Sequence, residues 1–231
     1  MEPSNNPTPQ QPARPCFVSW SGGKDSCLAL YQAMRAGAKP QLLFTMLTEG
    51  GDRSHSHGLR KDIISAQAAL LGLSPMFRAA TWPDYEAQFA DGLRQIAQAG
   101  VTLGIFGDID IDPHRQWVER ICAGAGITPS EPLWQADRRE ILCEFIEAGF
   151  KATIVAVKDG VLTPAVLGRT LDMPLVSEFE RAGVDPSGER GEYHTVVTAG
   201  PLFARPLHLR PLTRVLRDGY WFLDLALAPT F

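Results

Sequence analysis

The chain reads as an α/β protein: a parallel sheet flanked by helices, followed by a smaller C-terminal α+β region. Three observations carry this. Continuously apolar segments such as Phe17-Val18-Ser19-Trp20 and Leu42-Leu43-Phe44-Thr45-Met46-Leu47 suit strands that are covered on both faces. Segments of helical period separate them, as in a βα alternation. From Gly183 onward glycine and proline crowd in, and helical periodicity yields to hairpin signals.

Each element has its own signal. Cys27, Leu30, Tyr31 and Met34 fall at i, i+3, i+4 and i+7, one face of a helix that Gly37 stops. Ile63, Ala66, Gln67, Leu70 and Leu71 mark a helix ended by Gly72, and Tyr85, Phe89, Leu93 and Ile96 one ended by Gly100. Residues 101–106 form a strand. Asp112-Pro113 starts a helix, Asp as N-cap and Pro at the first helical position, continued by Trp117, Val118, Ile121 and Cys122. Asp137-x-x-Glu140 resembles a capping box opening a helix through Ile141, Leu142, Phe145 and Ile146. A strand at 150–157 comes next, and the runs 207–216 and 220–227 flank Asp218-Gly219, a tight hairpin turn. A boundary near 130 divides a first unit, 15–130, from a second, 131–231. Residues 1–14 are polar and proline-rich, with no apolar signal segment, and read as a disordered leader.

Bulk properties narrow the function classes. The chain has 231 residues, 45% of them hydrophobic and 21% charged, with a net charge of −4. That suits a globular core and argues against a strongly basic nucleic-acid binder. No apolar run approaches the ~20 residues of a membrane span. Cys16, Cys27, Cys122 and Cys143 lack CxxC spacing, so neither a disulfide framework nor a zinc site is expected, and a reducing cytoplasm is.

The strongest local signal is strand, then Ser21-Gly22-Gly23-Lys24-Asp25-Ser26, then helix. Small residues let the backbone curl so that several N–H groups point inward at a helix N-terminus, an anion-binding nest. Lys24 adds a positive charge, Ser21 and Ser26 add hydroxyls, and Asp25 suits a bound Mg²⁺ or the helix start. The loop departs from the Walker A pattern, which needs glycine where Val18 stands, and from GxGxxG.

Further motifs succeed it in order: His57-Gly58-Leu59-Arg60 leading to Gln67 and Leu71-Gly72; Gly107-Asp108-Ile109; Pro132-Leu133-Trp134; Leu167-Gly168-Arg169-Thr170-Leu171-Asp172; Gly188-Glu189-Arg190-Gly191-Glu192-Tyr193-His194-Thr195; and Pro201-Leu202-Phe203. The loop resembles that of the PP-loop ATP pyrophosphatases, and the ordered set over roughly 16–204 is similar to the diphthine–ammonia ligase family. The resemblance implies a PP-loop sheet, ATP cleaved to AMP and pyrophosphate, Mg²⁺, and an amide-forming reaction in which a carboxylate is adenylated and ammonia displaces AMP. It implies nucleotide contacts from Ser21, Gly22, Gly23, Lys24, Asp25, Ser26, Met46, His57, Arg60 and Gly107. It implies catalytic roles for Lys24, Asp108, Glu189, Glu192 and His194. Its expected partners are ATP, ammonia or ammonium and an unidentified carboxylate, with room for a homodimer and no membrane or nucleic acid. One departure stands out: the family's usual cysteine in the turn before GE-x-GE is replaced by Asp185-Pro186-Ser187.

Read from the residues alone, several positions stay open. Glu189, Glu192 and His194 are pocket groups or a surface turn entering a strand with Tyr193 and Val196 as core. His57 and Arg60 are phosphate contacts or a solvated loop. His55-x-His57 has the spacing of a metal pair, but nothing else nearby completes a site. Asp137 is a helix cap or a pocket carboxylate. Arg169 binds substrate or an interface. The resemblance leaves the acyl substrate open, because chemistry transfers between relatives more readily than substrate. Two other functions share the loop: a nucleotide sensor without turnover, and an RNA-modifying enzyme.

Overall fold

The computed structural model describes residues 14–229; the proposed leader falls almost wholly outside them. Five parallel strands form the first sheet: β1 (Pro15–Ser19), β2 (Lys39–Leu47), β3 (Ser74–Ala79), β4 (Leu103–Ile105) and β5 (Thr128–Ser130), in the order β3-β2-β1-β4-β5. The helices are α1 (Lys24–Arg35), α2 (Lys61–Leu71), α3 (Tyr85–Gln98) and α4 (Asp112–Ala123). Side chains alternate across β1, which explains its continuous apolarity. Cys16 and Val18 pack with α1 and α2, while Phe17 packs with Phe44 and with Phe89, Leu93 and Ile121 of α3 and α4. The order reverses at β1, so a crevice opens between the carboxyl ends of β1 and β4, the usual ligand position in such sheets.

The second sheet is antiparallel. It contains β6 (Lys151–Lys158), β7 (Tyr193–Ala199), β8 (Leu209–Arg217) and β9 (Tyr220–Leu227), in the order β7-β6-β9-β8. Helices α5 (Arg138–Glu147) and α6 (Met173–Arg181) accompany it. Its inner residues Ile154, Val196 and Val197 join the same core as Leu28, Leu30 and Ile63, so α1 and α2 lie between the two sheets. The β8–β9 turn forms as expected, with Asp218 at φ 50° and Gly219 at φ 76°, the pair of positive angles a two-residue hairpin needs. The outer edge of β8 is blunted by Pro211, a register shift and three arginines, the usual guards against edge pairing.

Several local expectations change. Asp112 is the first residue of α4 and Ile111 holds the N-cap position, because the chain enters helical geometry one residue early with Pro113 already in the first turn. Asp137 does cap α5, accepting from the Arg139 and Glu140 amides at 2.9 and 3.0 Å. Strands β3 and β5 and helix α6 carried no sequence signal strong enough to place them.

Candidate active site

A cleft of about 1130 Å³ opens where the two sheets meet. A smaller recess of about 230 Å³ adjoins it, lined by Phe44, Thr45, Met46, Tyr85 and Phe89. Asp25, His55, His57 and Gly107 line both.

The Ser21–Ser26 loop leaves β1 and enters α1, whose N-cap is Gly23 with no side-chain cap. The first amides of a helix have no intrahelical acceptor, so this end presents donors. Gly22 sits at φ +83°, and a Cβ there would press on Gln67 Oε1 at 2.8 Å. Gly107, at the end of β4, lies against the backbone of Asp25 and Ser26, where a Cβ would meet atoms at 2.9 Å. Strand β4 therefore reaches the loop only because residue 107 lacks a side chain. Lys24 is 5% exposed, and its Nζ donates to both oxygens of Asp25 at 2.9 and 2.8 Å. Ser21 Oγ and Ser26 Oγ are 3.1 Å apart.

The second sheet holds the back of this loop. Lys24 N donates to Thr195 Oγ1 at 3.0 Å, and Val197 N donates to Gly22 O at 2.9 Å. Gln67, wholly buried, accepts from Trp20 Nε1 and donates to Gly22 O and Val197 O. The sequence marks Gln67 only as one position of a motif; the structure makes it the joint between loop, α2 and β7.

The opposite wall comes from the 185–191 turn and β7. His57 Nδ1 lies 2.8 Å from the Thr195 carbonyl, which can only accept, so Nδ1 carries the proton and Nε2 is a free acceptor. The rings of His57 and His194 are 4.6 Å apart. Burial lowers His57 to about 4, helped by Lys24 and opposed by the Thr195 carbonyl and Asp25. Burial, His57 and Lys24 push His194 well below its ordinary value, so both imidazoles are neutral at pH 7. Glu189 moves the other way: burial first, then Asp25 and Asp108, raises it to about 7 against the pull of Lys24 and the Ile109 amide. Asp108 faces the cleft and lies 3.6 Å from His114, whose pKa it raises.

The structure thus brings Lys24, Asp25, His57, Gly107, Asp108, Glu189 and His194 to one cleft, with Met46 in the adjoining recess. Ser21 and Ser26 also line the recess, Gly22 and Gly23 are buried in the loop, and the side chains of Glu192 and Arg60 fall outside the cleft. Glu192 turns back to accept from the Arg190 amide at 3.0 Å, since the tight turn leaves that amide needing an acceptor. Arg60 is the N-cap residue of α2, and its guanidinium forks onto Asp62 on the surface. Arg169 likewise forks onto Glu178, away from the cleft. His55 and His57 turn to different carbonyls, Ala80 and Thr195, and do not converge as a metal pair.

Sequence reasoning missed Arg138, His114 and the aromatic shelf at the cleft mouth. In that shelf Trp82, 70% exposed, stacks on Tyr85 with His55 alongside. Only an exposed Trp in Thr81-Trp82-Pro83 hinted at it.

Comparison with known proteins now bears on this geometry. The model of the diphthamide synthase N-terminal domain matches residues 15–129, and that of the C-terminal domain matches 137–227. The chain belongs to the diphthamide synthase family. Several curated diphthine–ammonia ligases are similar along most of their length. The Danio rerio protein is 28% identical, covering 90% of this chain and 89% of its own. The Bos taurus protein is 29% identical over 81% and 79%, and the Homo sapiens protein 27% identical over 89% and 86%. Among the described residues, no helix is long and apolar enough to cross a membrane.

Proposed function

We propose that the chain is an ATP-dependent ligase that joins ammonia to a carboxylate through an acyl-adenylate; its relatives carry the name diphthine–ammonia ligase. One observation carries the reading: a phosphate-binding helix start and a carboxyl poised near neutrality share one cleft, Lys24 on one side and Glu189 on the other.

The steps are dictated by charge. A substrate carboxylate oxygen attacks the α-phosphorus of ATP, and pyrophosphate leaves with the bonding pair. Ammonia then attacks the acyl carbon, and AMP departs with that oxygen. Lys24 and the α1 amides oppose the charge that builds on the phosphates, in a site where a fixed donor is worth far more than in water. In the resting protein Asp25 neutralises Lys24, so the lysine is held in place until a more highly charged anion competes for it. The recess, lined by Met46, Tyr85 and Phe89 together with Ser19, Thr45 and Ser54, offers a mixed apolar and polar seat for the base of the nucleotide.

Ammonium must lose a proton before it attacks. A carboxyl at about 7 is well matched to take one near neutral pH, and Glu189 is assigned this role. The neutral His57–His194 pair adds no positive charge that would repel ammonium, and Nε2 of His57 supplies an acceptor. Asp108 adds negative potential on the same side.

The donor set suits Mg²⁺ shared with the nucleotide. Asp25, Asp108 and Glu189 face the same cleft, and burial first, then Asp25 and Asp108, raises Glu189. Yet no three His, Cys, Asp or Glu side chains converge on one point among the described residues. Magnesium typically keeps one or two carboxylates and fills its shell with phosphate and water; Asp25 would be the protein ligand. When bound, the ion supplies charge neutralisation for the leaving pyrophosphate. We place the division between nucleotide and substrate units near residue 130.

Product analysis tests the reading. With ATP, Mg²⁺, ammonium and a panel of carboxylates that includes a diphthine-bearing protein, AMP and pyrophosphate should form with the amide. ADP and phosphate, or bound ATP without turnover, would overturn it.

A further inference from the structure

We propose that Arg138 is a positioning residue: it clamps the 185–191 turn to the first sheet and so sets where Glu189 stands in the cleft. This rests on the ligase reading for its consequence, not for its geometry.

Arg138 opens α5, directly after the Asp137 cap, so its backbone is fixed by that capped turn. Its guanidinium spans two loops. Nε and Nη2 fork onto the carboxylate of Asp110, at 2.7 and 2.6 Å, just past β4. Nη1 donates to Asp185, which precedes the GE-x-GE turn. Asp185 in its turn organises residues 187–189. Its Oδ1 accepts from Ser187 N at 3.0 Å and Ser187 Oγ at 2.8 Å, and its Oδ2 accepts from Glu189 N at 3.3 Å. Ser187 is fully buried, and Gly188, at φ +69°, lies flat against the Tyr193 ring. The chain from Arg138 to Glu189 thus runs through one carboxylate.

Asp185 and Ser187 hold the turn by charge and hydrogen bonds. A guanidinium suits such a clamp because its fork can serve two carboxylates at once; a lysine offers only a point charge. The groups that surround Glu189 come from every neighbouring element: Lys24 and Asp25 on α1, Asp108 and the Ile109 amide after β4, His114 on α4, and Arg138 itself. A shifted turn would change Glu189's distance to all of them. Misplacement of a reacting group by about 1 Å costs up to about a hundred-fold in rate.

The full chain is tested as the variants Arg138→Met, Arg138→Lys and Asp110→Asn. The last keeps Arg138 paired with Asp185 and removes only an exposed charge, so it covers the case in which Arg138→Met fails to fold. Two readouts are taken: amide formation at saturating and limiting ATP, and amide hydrogen exchange of residues 187–189 in the resting protein. Arg138→Met should lower kcat about ten- to a hundred-fold, with KM for ATP within about two-fold, because the nucleotide wall is untouched. Exchange in the turn should quicken. Asp110→Asn should move both in the same direction by less, and Arg138→Lys should recover only part of the loss. Unchanged exchange in the turn, or quickened exchange with kcat intact, would overturn the clamp. Exchange needs no turnover, so a wild-type chain inert toward ATP and carboxylates would sink the ligase reading and leave the clamp to be decided on its own.

Discussion

The cleft wall proposed to hold phosphate is assembled from adjacent residues, strand to loop to helix, and offers backbone N–H groups and one lysine. The opposite wall works through the side chains of Glu189 and His194, brought to the loop across 171 positions of sequence, as the Lys24–Thr195 hydrogen bond measures. The first wall needs only local geometry to be competent. The second needs Gln67, Thr195, Asp185 and Arg138 to hold it in place. On the proposed ligase reading, binding is therefore encoded locally and acid–base chemistry by tertiary packing.

Substitutions on the two walls should break different steps. Lys24→Met removes the only full positive charge of the phosphate loop, and kcat/KM for pyrophosphate release should fall about 10²–10³-fold. A loss under ten-fold would mean that the backbone nest suffices alone. Glu189→Gln should leave ATP binding intact and lower amide formation about 10²-fold. Hydroxylamine, which arrives uncharged at neutral pH, should restore most of that rate, and failure to do so would remove Glu189 from proton transfer. In the wild type the rate should rise as pH passes about 7, where Glu189 ionises, and Glu189→Gln should lose that limb.

The joint between the walls gives a stability prediction. Gln67→Leu leaves Trp20 Nε1, Gly22 O and Val197 O without their buried partner. At about 1–3 kcal/mol for each orphaned group, partly relieved by relaxation, urea unfolding should show a loss of about 3 kcal/mol. A loss under about 1 kcal/mol would mean that the two sheets do not depend on this residue.

The smallest effect concerns pH. His57 is depressed from 6.5 to about 4, so the stability tied to its neutral form is complete above pH 6.5 and drains as pH falls toward 4. Glu189, raised above its ordinary value, acts oppositely: its contribution is complete below pH 4.5 and drains as pH rises through about 7. His57→Gln should flatten the acid-side fall in Tm between pH 6.5 and 4, leaving the share owed to His194. An unchanged acid-side slope would mean that His57 is solvated.

This contrast also explains what could be read in the sequence. Helices α1 to α5 and strands β1, β2, β4, β6, β8 and β9 announce themselves through period, caps and turn residues. Strand β3 escaped because Ser74, Pro75 and Arg78 interrupt its apolar pattern at a half-exposed edge, and β5 because three residues around Pro129 are too few to show a period. The phosphate loop was legible because backbone curl and lysine sit in one hexapeptide. Glu189 and Glu192 look equivalent in the sequence. They separate only in three dimensions, where Asp185 holds the Glu189 amide and Glu192 is consumed by the Arg190 amide. Arg138 was invisible for a related reason: its partners, Asp110 and Asp185, lie on either side of it in different loops.

In the proposed reaction one ATP α-phosphate lies between the two walls. A crystal structure with α,β-methylene ATP and Mg²⁺ tests it directly. The phosphates should lie on the α1 amides and Lys24, with the α-phosphate on the side facing Glu189 and His194. Phosphates seated there with Glu189 and His194 turned to an outer surface, or a nucleotide bound elsewhere, would contradict it.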